Sequence, residues 1–307
     1  MRPHILDLDG ALAGQPVLMG ACAAAGGHVV AARDLAPRLR LQAQRAALAT
    51  LGGRLAAPAP GDIYFYGSGD FHHLTLLLVE RLEQPVSIIH FDNHPDWVRV
   101  PASVNCGSWV ARALELRQVL RVVTIGPGRA DMAAPQLKGA DMASVRTGRL
   151  EIHPFASQAT FYAGPAFETA SAEGDPGIGR CGLRWHGLSD RDFMIRMADV
   201  ADRLPDGPLW ITLDKDVLTQ REAVTNWDQG QLTLEQVLDA IALFAEHRPI
   251  LGMDVCGDYS PEGALGPWRT FLAFCDRAQR PVPEAAGHAV NQAANLRILR
   301  HMGDLLS

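Results

Sequence analysis

The stretch His90-Phe91-Asp92-Asn93-His94-Pro95-Asp96 follows an apolar run at residues 86–89. After position 91, the side chains that could bind a metal ion fall on alternate positions: Asp92, His94 and Asp96. Side chains of an extended segment repeat every two residues, so these groups converge if the chain stays extended beyond the strand. Pro95 favours this, because a proline disfavours helical backbone in the preceding residue. We interpret the stretch as a buried strand that ends in a metal site, with a polar turn as the alternative.

Composition limits the class of protein. Of the 307 residues, 48% are hydrophobic and 20% are charged, and the net charge is −6. Such a chain can bury a large core, and its length makes one large α/β domain as plausible as two small ones. We interpret residues 1–307 as a single domain. No basic patch points to nucleic acid, and no apolar run is long enough to span a membrane. A homo-oligomer is compatible with these features.

The cysteines and the N-terminal residues indicate the cellular compartment. The five cysteines are widely spaced and include no Cys-x-x-Cys pair. This pattern indicates neither a disulfide framework nor a structural zinc site. The first twenty residues contain Asp7 and Asp9 where a signal peptide has a long apolar core. We therefore expect a cytoplasmic protein.

Short apolar runs alternate with stretches of helical periodicity, which predicts βαβ units and a mostly parallel sheet. Eight strands are predicted, at residues 4–8, 28–32, 63–66, 86–91, 121–125, 150–153, 209–213 and 250–255. Helices are predicted at residues 39–51, 71–82, 108–116, 190–204, 232–247 and 283–302. Residues 154–185 are rich in Gly, Ala, Ser and Pro, and we interpret them as a lid or specificity insertion, or else a surface excursion.

Three predicted strands end in motifs that carry aspartate, and in two of them histidine as well, at residues 67–73, 92–96 and 214–216. Open α/β sheets bind ligands at the carboxyl ends of their strands, so we expect the motifs to share one crevice. The carboxylates there repel one another unless cations neutralise them, and two divalent ions would do so: Asp92, Asp96, Asp214 and Asp216. A mixed Asp/His set without thiolate suits manganese. Two such ions can hold a bridging hydroxide, so the motifs predict a hydrolase.

These motifs resemble the metal motifs of the ureohydrolase superfamily, which includes arginase, agmatinase and formiminoglutamase. The similar segments are Gly-Ser-Gly-Asp-Phe-His at 67–72, Asp-Asn-His-Pro-Asp at 92–96 and Leu-Asp-Lys-Asp at 213–216. The family pattern is Gly-Gly-Asp-His, Asp-x-His-x-Asp and Ser-x-Asp-x-Asp in this order, and the resemblance covers roughly residues 64–261. It implies a three-layer α/β/α fold with an eight-stranded, mostly parallel sheet.

The resemblance also implies the chemistry of the site. A hydrolase of this kind acts on C–N bonds other than peptide bonds, in linear amidines, with two Mn²⁺ per chain and a metal-bridging hydroxide. Asp92 and Asp214 would bridge the ions. The remaining ligands would divide between the two ions, with His72 and Asp96 on one and His94 and Asp216 on the other. Asp216 or a nearby water would relay the proton.

Several positions depart from the family pattern. Phe71 separates Asp70 from two histidines, so either His72 or His73 could be the first ligand, and we prefer His72. The family's proton-shuttle histidine is absent from the comparable stretch, which instead offers Asn105 as a substrate contact and Cys106 as a reactive group. A buried, inert thiol is the alternative for Cys106.

The residues expected to recognise the substrate also depart from the family pattern. Gly257 stands where the family has its guanidinium-binding glutamate, and Asp258, one position later, is the candidate partner for a substrate cation. A solvated turn aspartate is the alternative. Trp227 and Asp228, in the loop 225–230, are further candidate substrate contacts, or else a packed Trp with turn residues. Lys215, between two ligands, is expected to face away from the metals.

The leading hypothesis is therefore a urea-releasing enzyme for a small-molecule or peptide guanidino compound other than free arginine. An amide or amidine hydrolase on the same fold, for a formimino or acetyl amine, is the first alternative, because Gly257 removes the guanidinium anchor. A non-catalytic binding protein on a decayed fold is the second alternative. The retention of all four carboxylates speaks against it.

Overall fold

The computed structural model of the chain describes residues 1–100, 104–175, 177, 182–261, 266–283 and 287–306. The strands in chain order are β1 (Arg2–Asp7), β2 (Val29–Ala31), β3 (Gln42–Ala43), β4 (Asp62–Phe65), β5 (Val86–Phe91), β6 (Val104–Asn105), β7 (Val119–Ile125), β8 (Leu150–His153), β9 (Gln158–Phe161), β10 (Ala172–Gly174), β11 (Gly182–Trp185), β12 (Leu209–Asp214) and β13 (Ile250–Cys256). The helices are α1 (Pro16–Ala24), α2 (Ala36–Leu39), α3 (Arg45–Arg54), α4 (Leu74–Val79), α5 (Trp109–Ala113), α6 (Arg129–Met132), α7 (Met142–Arg146), α8 (Phe193–Asp202), α9 (Leu234–His247), α10 (Pro267–Cys275) and α11 (His288–Leu305).

An eight-stranded sheet in the order β2-β1-β4-β13-β12-β5-β7-β8 forms the middle layer, and its strand pairs are parallel. These are the eight strands predicted from the apolar runs. Strands β5, β12 and β13 are buried along their whole length, as expected for a parallel sheet covered on both faces. The prediction of the main sheet is therefore confirmed.

Two hydrophobic cores lie on opposite faces of the sheet. Consecutive residues of β5 point to opposite faces and enter different cores, with Ile88 in one and Ile89 in the other. Helices α1, α8, α9 and α11 cover the core that holds Ile89, while α2 to α5 and α7 cover the other. The result is the three-layer α/β/α arrangement that the resemblance implied.

The helices are less well predicted than the strands. Thr233 and Gln236 form the capping box that opens α9. The helix predicted at 39–51 is instead split into α2 and α3, because Leu41 adopts a left-handed backbone conformation with φ 63°. Helices α1 and α10 lack a counterpart in the prediction, although each has a proline at its start, a helix signal. Part of the stretch predicted as a helix at 283–302 lies outside the described residues.

The segment 154–185, of which residues 176 and 178–181 lie outside the described residues, is elsewhere more regular than its composition indicates. Strands β9, β10 and β11 form an antiparallel sheet in the order β10-β11-β9. Trp185, the last residue of the central strand β11, packs against Trp97, with ring centroids 5.8 Å apart. Its role as a lid or specificity insertion stays a prediction, as does the single-domain organisation. In the described parts of the chain, no helix combines the length and apolar character that crossing a membrane requires.

Candidate metal centre

The three motifs meet at the carboxyl ends of β4, β5 and β12. Beyond β5 the backbone does not stay extended, since it bends at Asn93 and His94, and Asp96 is left-handed with φ 49°. The expectation of an extended segment is therefore wrong. The side chains converge because the bends are fixed by hydrogen bonds: His94 N donates to Asp92 Oδ1 (2.6 Å), and Val110 N donates to the Asp96 carbonyl (3.1 Å).

The turn Gly69–Phe71 carries His72 into the centre of the cluster. His72 Nδ1 lies 2.8 Å from Asp92 Oδ2, 3.5 Å from Asp96 Oδ2 and 3.6 Å from Asp214 Oδ2. Its other ring nitrogen, Nε2, contacts Thr212 Oγ1 at 2.8 Å. Within the described residues, His73 belongs to no group of potential metal ligands. The geometry therefore favours His72 over His73 as the ligand.

The six predicted ligands fall into overlapping groups whose ligand atoms lie within 4.8 Å of one another. One group contains His72, Asp92 and Asp96, and a second contains Asp92, His94 and Asp216. In the second group His94 Nδ1 lies 3.0 Å from Asp216 Oδ2 and 3.4 Å from Asp92 Oδ1. Asp214 joins His72 in a third group. Asp92 thus lies between two sets of donors, and the bridging role implied for it stays a prediction.

Two further side chains belong to the cluster and were missed from the sequence. His90 Nε2 lies 2.9 Å from Asp92 Oδ2, and the Cys256 thiol donates to Asp214 Oδ2 at 3.2 Å. His90 lies two residues before Asp92, so the alternation in the sequence could have revealed it. Cys256 is the register partner of Asp214 in the neighbouring strand. Predicting that contact from the sequence would have required the order of the strands in the sheet.

Burial and mutual repulsion shift the acidity of the cluster. Burial, with the Asp92 carboxylate, raises the pKa of Asp96 well above its ordinary value and also raises the pKa of Asp214. Burial lowers the pKa of His72, but the carboxylates outweigh it and raise the value to about 9. Burial raises the pKa of Asp92, but the adjacent histidines His72, His90 and His94 outweigh it and hold that pKa well below its ordinary value. The cluster therefore has more potential negative charge than its histidines balance, and it suits cations.

No protein-family model matches the chain. An uncharacterized protein of Thermotoga maritima is 26% identical over 204 residues, which make up 66% of this chain and 61% of that protein. The chain therefore matches about three fifths of the length of that curated relative.

Solved structures resemble the whole chain. Formimidoylglutamase from Bacillus subtilis subsp. subtilis str. 168 has a TM-score of 0.57 at 13% identity, covering 100% of this chain and 87% of that one. Arginase from Bacillus subtilis has a TM-score of 0.57 at 11% identity, covering 98% of each chain. A hypothetical agmatinase from Burkholderia thailandensis has a TM-score of 0.52 at 14% identity, covering 98% of this chain and 86% of that one.

The chain has the ureohydrolase fold. The resemblance noted on the three motifs is confirmed at the level of the fold. At these identities the likeness carries the fold alone, so the metal and the substrate must be argued from the residues of the site.

Asp228 occupies a different place in this ureohydrolase fold from the one expected. Its Oδ1 lies 3.0 Å from His94 Nε2, the ring nitrogen that faces away from the cluster. It borders a smaller cavity behind His94 rather than the main one. Asp228 therefore orients His94, as carboxylates commonly do for metal-binding histidines, and is not placed as a direct substrate contact.

Replacing Asp228 by alanine is expected to weaken the binding of a divalent cation at His94 by about tenfold to a hundredfold, because His94 loses the partner that fixes its ring. Titration of the metal against a competing chelator measures the effect. The matched control is Asp199→Ala, which removes an exposed ion pair with Arg191. Equal metal affinity in the two variants would show that Asp228 does not orient His94.

Asp258 is not a substrate contact in this fold. It is buried and forms an ion pair with Lys215, Oδ1 to Nζ, at 2.8 Å. Gln15 Nε2 and Asn295 Nδ2 also donate to Asp258 Oδ1, at 2.6 Å and 3.2 Å. The expectation that Asp258 meets a substrate cation is corrected, because Lys215 already matches its charge inside the protein. Lys215 itself pairs away from the cluster, as alternation predicted.

Gly257 leaves no room for a side chain. Its φ is 89°, and a Cβ atom there would lie within 3.0 Å of Asp214 Oδ1 and 2.5 Å from Lys215 N. Gly69 faces the other oxygen of the same carboxylate just as closely. The glutamate expected from the family pattern is therefore incompatible with this backbone.

A cavity of about 320 Å³ opens onto the cluster. Asn105, Cys106 and Trp227 line it, so these three candidates are brought to the site. Trp227 Nε1 donates to Asp70 Oδ1 at 3.0 Å, which fixes the indole in the wall. Burial, with the Asp96 carboxylate, raises the pKa of the Cys106 thiol well above its ordinary value. This direction favours the inert thiol over a reactive Cys106, whose role stays a prediction.

Proposed function

We propose that the chain is a binuclear manganese hydrolase that cleaves a C–N bond of a guanidino compound and releases urea. One observation carries the proposal: the six predicted ligands converge at the base of a cavity on the carboxyl edge of the sheet. The structural neighbours, named formimidoylglutamase, agmatinase and arginase, support this class of reaction.

The donor set fits the proposed metal. It is rich in carboxylate oxygens, with imidazole nitrogens from His72 and His94, which is the borderline-hard set that suits manganese. His72 Nδ1 is buried and forms no hydrogen bond within the described residues, although Asp92 Oδ2 is 2.8 Å away. Such a nitrogen is oriented as a ligand rather than as a hydrogen-bond donor. When bound, a pair of divalent ions supplies a water of lowered pKa and stabilises developing negative charge.

The protein's own contribution is to hold the ligands rigid. Asp92 is fixed by His90 and by the backbone of His94, and Asp214 accepts a hydrogen bond from Asp216 N at 3.0 Å. Asp216 lines the cavity and is our candidate for passing a proton to the leaving amine. Ligands held in this way need little rearrangement during the reaction.

A second candidate function has its own observation. Gly257 cannot carry a carboxylate and Asp258 is used by Lys215, so the usual guanidinium anchor is missing. An amide or amidine substrate, such as a formimino or acetyl amine, depends less on such an anchor. Release of amine from these compounds without release of urea from guanidino compounds would favour this second function.

The proposed type of substrate and the proposed cellular location rest on the volume of the cavity and on the state of the cysteines. The volume of about 320 Å³ is near the lower end for ligand sites, which favours a small molecule over a peptide. The four cysteines in the described residues are free, as in proteins of the reducing cytoplasm. We therefore propose a small-molecule enzyme of the cytoplasm, and we keep a homo-oligomer as a proposal.

Metal analysis tests the proposed function directly. After loading with Mn²⁺ and removal of the excess, the protein should hold about two ions per chain and release urea from at least one guanidino compound. Chelator-treated protein is the control and should be inactive until Mn²⁺ is restored. Fewer than about one ion per chain after loading would overturn the hydrolase proposal and favour the non-catalytic alternative.

A further inference from the structure

One of the three groups of potential metal ligands among the described residues contains a sulfur atom. It consists of His72, Asp214 and Cys256, which are all buried, and its ligand atoms lie within 4.8 Å of one another. Zn–S bonds are about 2.3 Å long and Zn–N bonds about 2.0 Å, so these donors need only small shifts to share one ion. The other two groups offer oxygen and nitrogen atoms alone.

The pairing of β12 with β13 brings the sulfur to this place. Cys256 ends β13, and its register partner Asp214 ends β12. The Cys256 thiol donates to Asp214 Oδ2 at 3.2 Å, and His72 Nδ1 lies 3.6 Å from the same oxygen. The thiol and the imidazole therefore converge on one carboxylate oxygen, as two ligands of a shared cation would.

Hydrogen bonds determine which nitrogen of His72 carries the lone pair. The Thr212 hydroxyl donates its proton to Asp254 Oδ1 at 2.7 Å, so it accepts from His72 Nε2 at 2.8 Å. In the neutral imidazole the free lone pair then lies on Nδ1. That atom is buried and forms no hydrogen bond in the described parts of the chain. A cation beside Asp214 and Cys256 would supply the missing partner.

We propose that His72, Asp214 and Cys256 bind one thiophilic divalent cation, with Zn²⁺ as the preferred ion. Cys256 binds it as a thiolate, its proton leaving to water, and thiolate ligands favour zinc over hard ions such as Mn²⁺. Two of the three residues belong to the proposed manganese centre, so Zn²⁺ and Mn²⁺ compete for this position. The inference rests on the geometry of the donors and needs neither the substrate nor hydrolysis.

Titration of the metal-free protein with Co²⁺ tests the inference, because a cobalt–thiolate bond has a charge-transfer absorption band that oxygen and nitrogen ligands lack. The exposed Cys275, and Cys181 outside the described residues, are replaced by serine in every sample. This background protein should develop the band in proportion to the bound Co²⁺. Cys256→Ser should remove the band, while the remaining ligands still bind Co²⁺.

Cys106→Ser is the matched control, since Cys106 is a second thiol close to the cluster, in the wall of the main cavity. This variant should keep the band, and thermal unfolding checks that both variants are folded. If Cys256→Ser does not fold, X-ray absorption at the zinc edge of the Zn²⁺-loaded Cys106→Ser protein still decides. It should show a sulfur neighbour at about 2.3 Å from the zinc.

Competition between Zn²⁺ and Mn²⁺ gives a second measure of the same ligand. The preference of the background protein for Zn²⁺ should exceed that of Cys256→Ser by at least about tenfold. Since Zn²⁺ binds most nitrogen and oxygen sites more tightly than Mn²⁺, only the difference between the two proteins is informative. Equal preferences would overturn the inference.

The outcomes separate this inference from the proposed function. Sulfur ligation without urea release from the Mn²⁺-loaded protein would support the inference and count against the hydrolase alone. Urea release, combined with no sulfur contact to bound Co²⁺ or Zn²⁺, would support the hydrolase and overturn the inference. A band that persists in Cys256→Ser, or that disappears only in Cys106→Ser, would also overturn it.

Discussion

Alanine in place of Asp92 should abolish Mn²⁺ binding at both positions and lower turnover by at least about a thousandfold, because several kcal/mol of transition-state stabilisation would be lost. The two oxygens of this carboxylate face different donors, with Oδ2 2.8 Å from His72 Nδ1 and Oδ1 3.4 Å from His94 Nδ1. Its removal therefore affects both groups at once. Asp214→Ala should have the same consequence.

The fold should survive both substitutions. Removing one carboxylate from a crowded acidic cluster relieves repulsion in the metal-free protein. Far-UV circular dichroism should match wild type, while metal content and urea release fall. Asp34→Ala, which breaks an exposed pair with Arg54, is the control and should keep both. Near-normal turnover in either cluster variant would contradict the assignment of Asp92 and Asp214 as bridging ligands.

Gly257→Ala should also have a large effect, through packing rather than through loss of a ligand. The added Cβ would meet Asp214 Oδ1 and the Lys215 backbone, and the φ of 89° is itself unfavourable for alanine. Backbone strain and overpacking together should cost about 2–6 kcal/mol of unfolding free energy. Asp214 should also be displaced, so Mn²⁺ affinity should fall.

Gly26→Ala provides a matched control for this experiment. Gly26 also has a positive φ, of 73°, but a Cβ atom there meets nothing within 4 Å. The control therefore carries the backbone strain without the collision. Chemical denaturation and metal titration of both variants should show a larger loss for Gly257→Ala in each measurement. If the two variants behaved alike, the close approach of Gly257 to Asp214 would be contradicted.

The features of the sequence that were most informative have a simple physical origin. Strands of a parallel sheet are buried on both faces, so each is a short apolar run, and β5 and β12 could be located within about a residue. Ligands at the ends of these strands could be predicted as well, since carboxyl ends of parallel strands meet at one edge. The helix break at Leu41 could not, because a left-handed leucine has no sequence signal.

Other parts of the site depend on contacts between distant segments. Asp258 pairs with Lys215 and does not face the cavity, because of the backbone conformation of the turn at Gly257. That conformation could not be predicted from the sequence. Cys256 reached Asp214 only through the pairing of β12 with β13. Asp276 showed no motif at all, although it lies in the wall of the main cavity. Local sequence patterns do not reveal contacts of this kind.

The two glycines that enclose Asp214 also limit how specificity could be redesigned. A guanidinium anchor cannot be restored by placing glutamate at position 257, since the metal ligand and the side chain would compete for the same space. A new carboxylate there would require a rebuilt turn, and that turn carries Asp258, the partner of the buried Lys215. Engineering for free arginine would thus need several simultaneous changes.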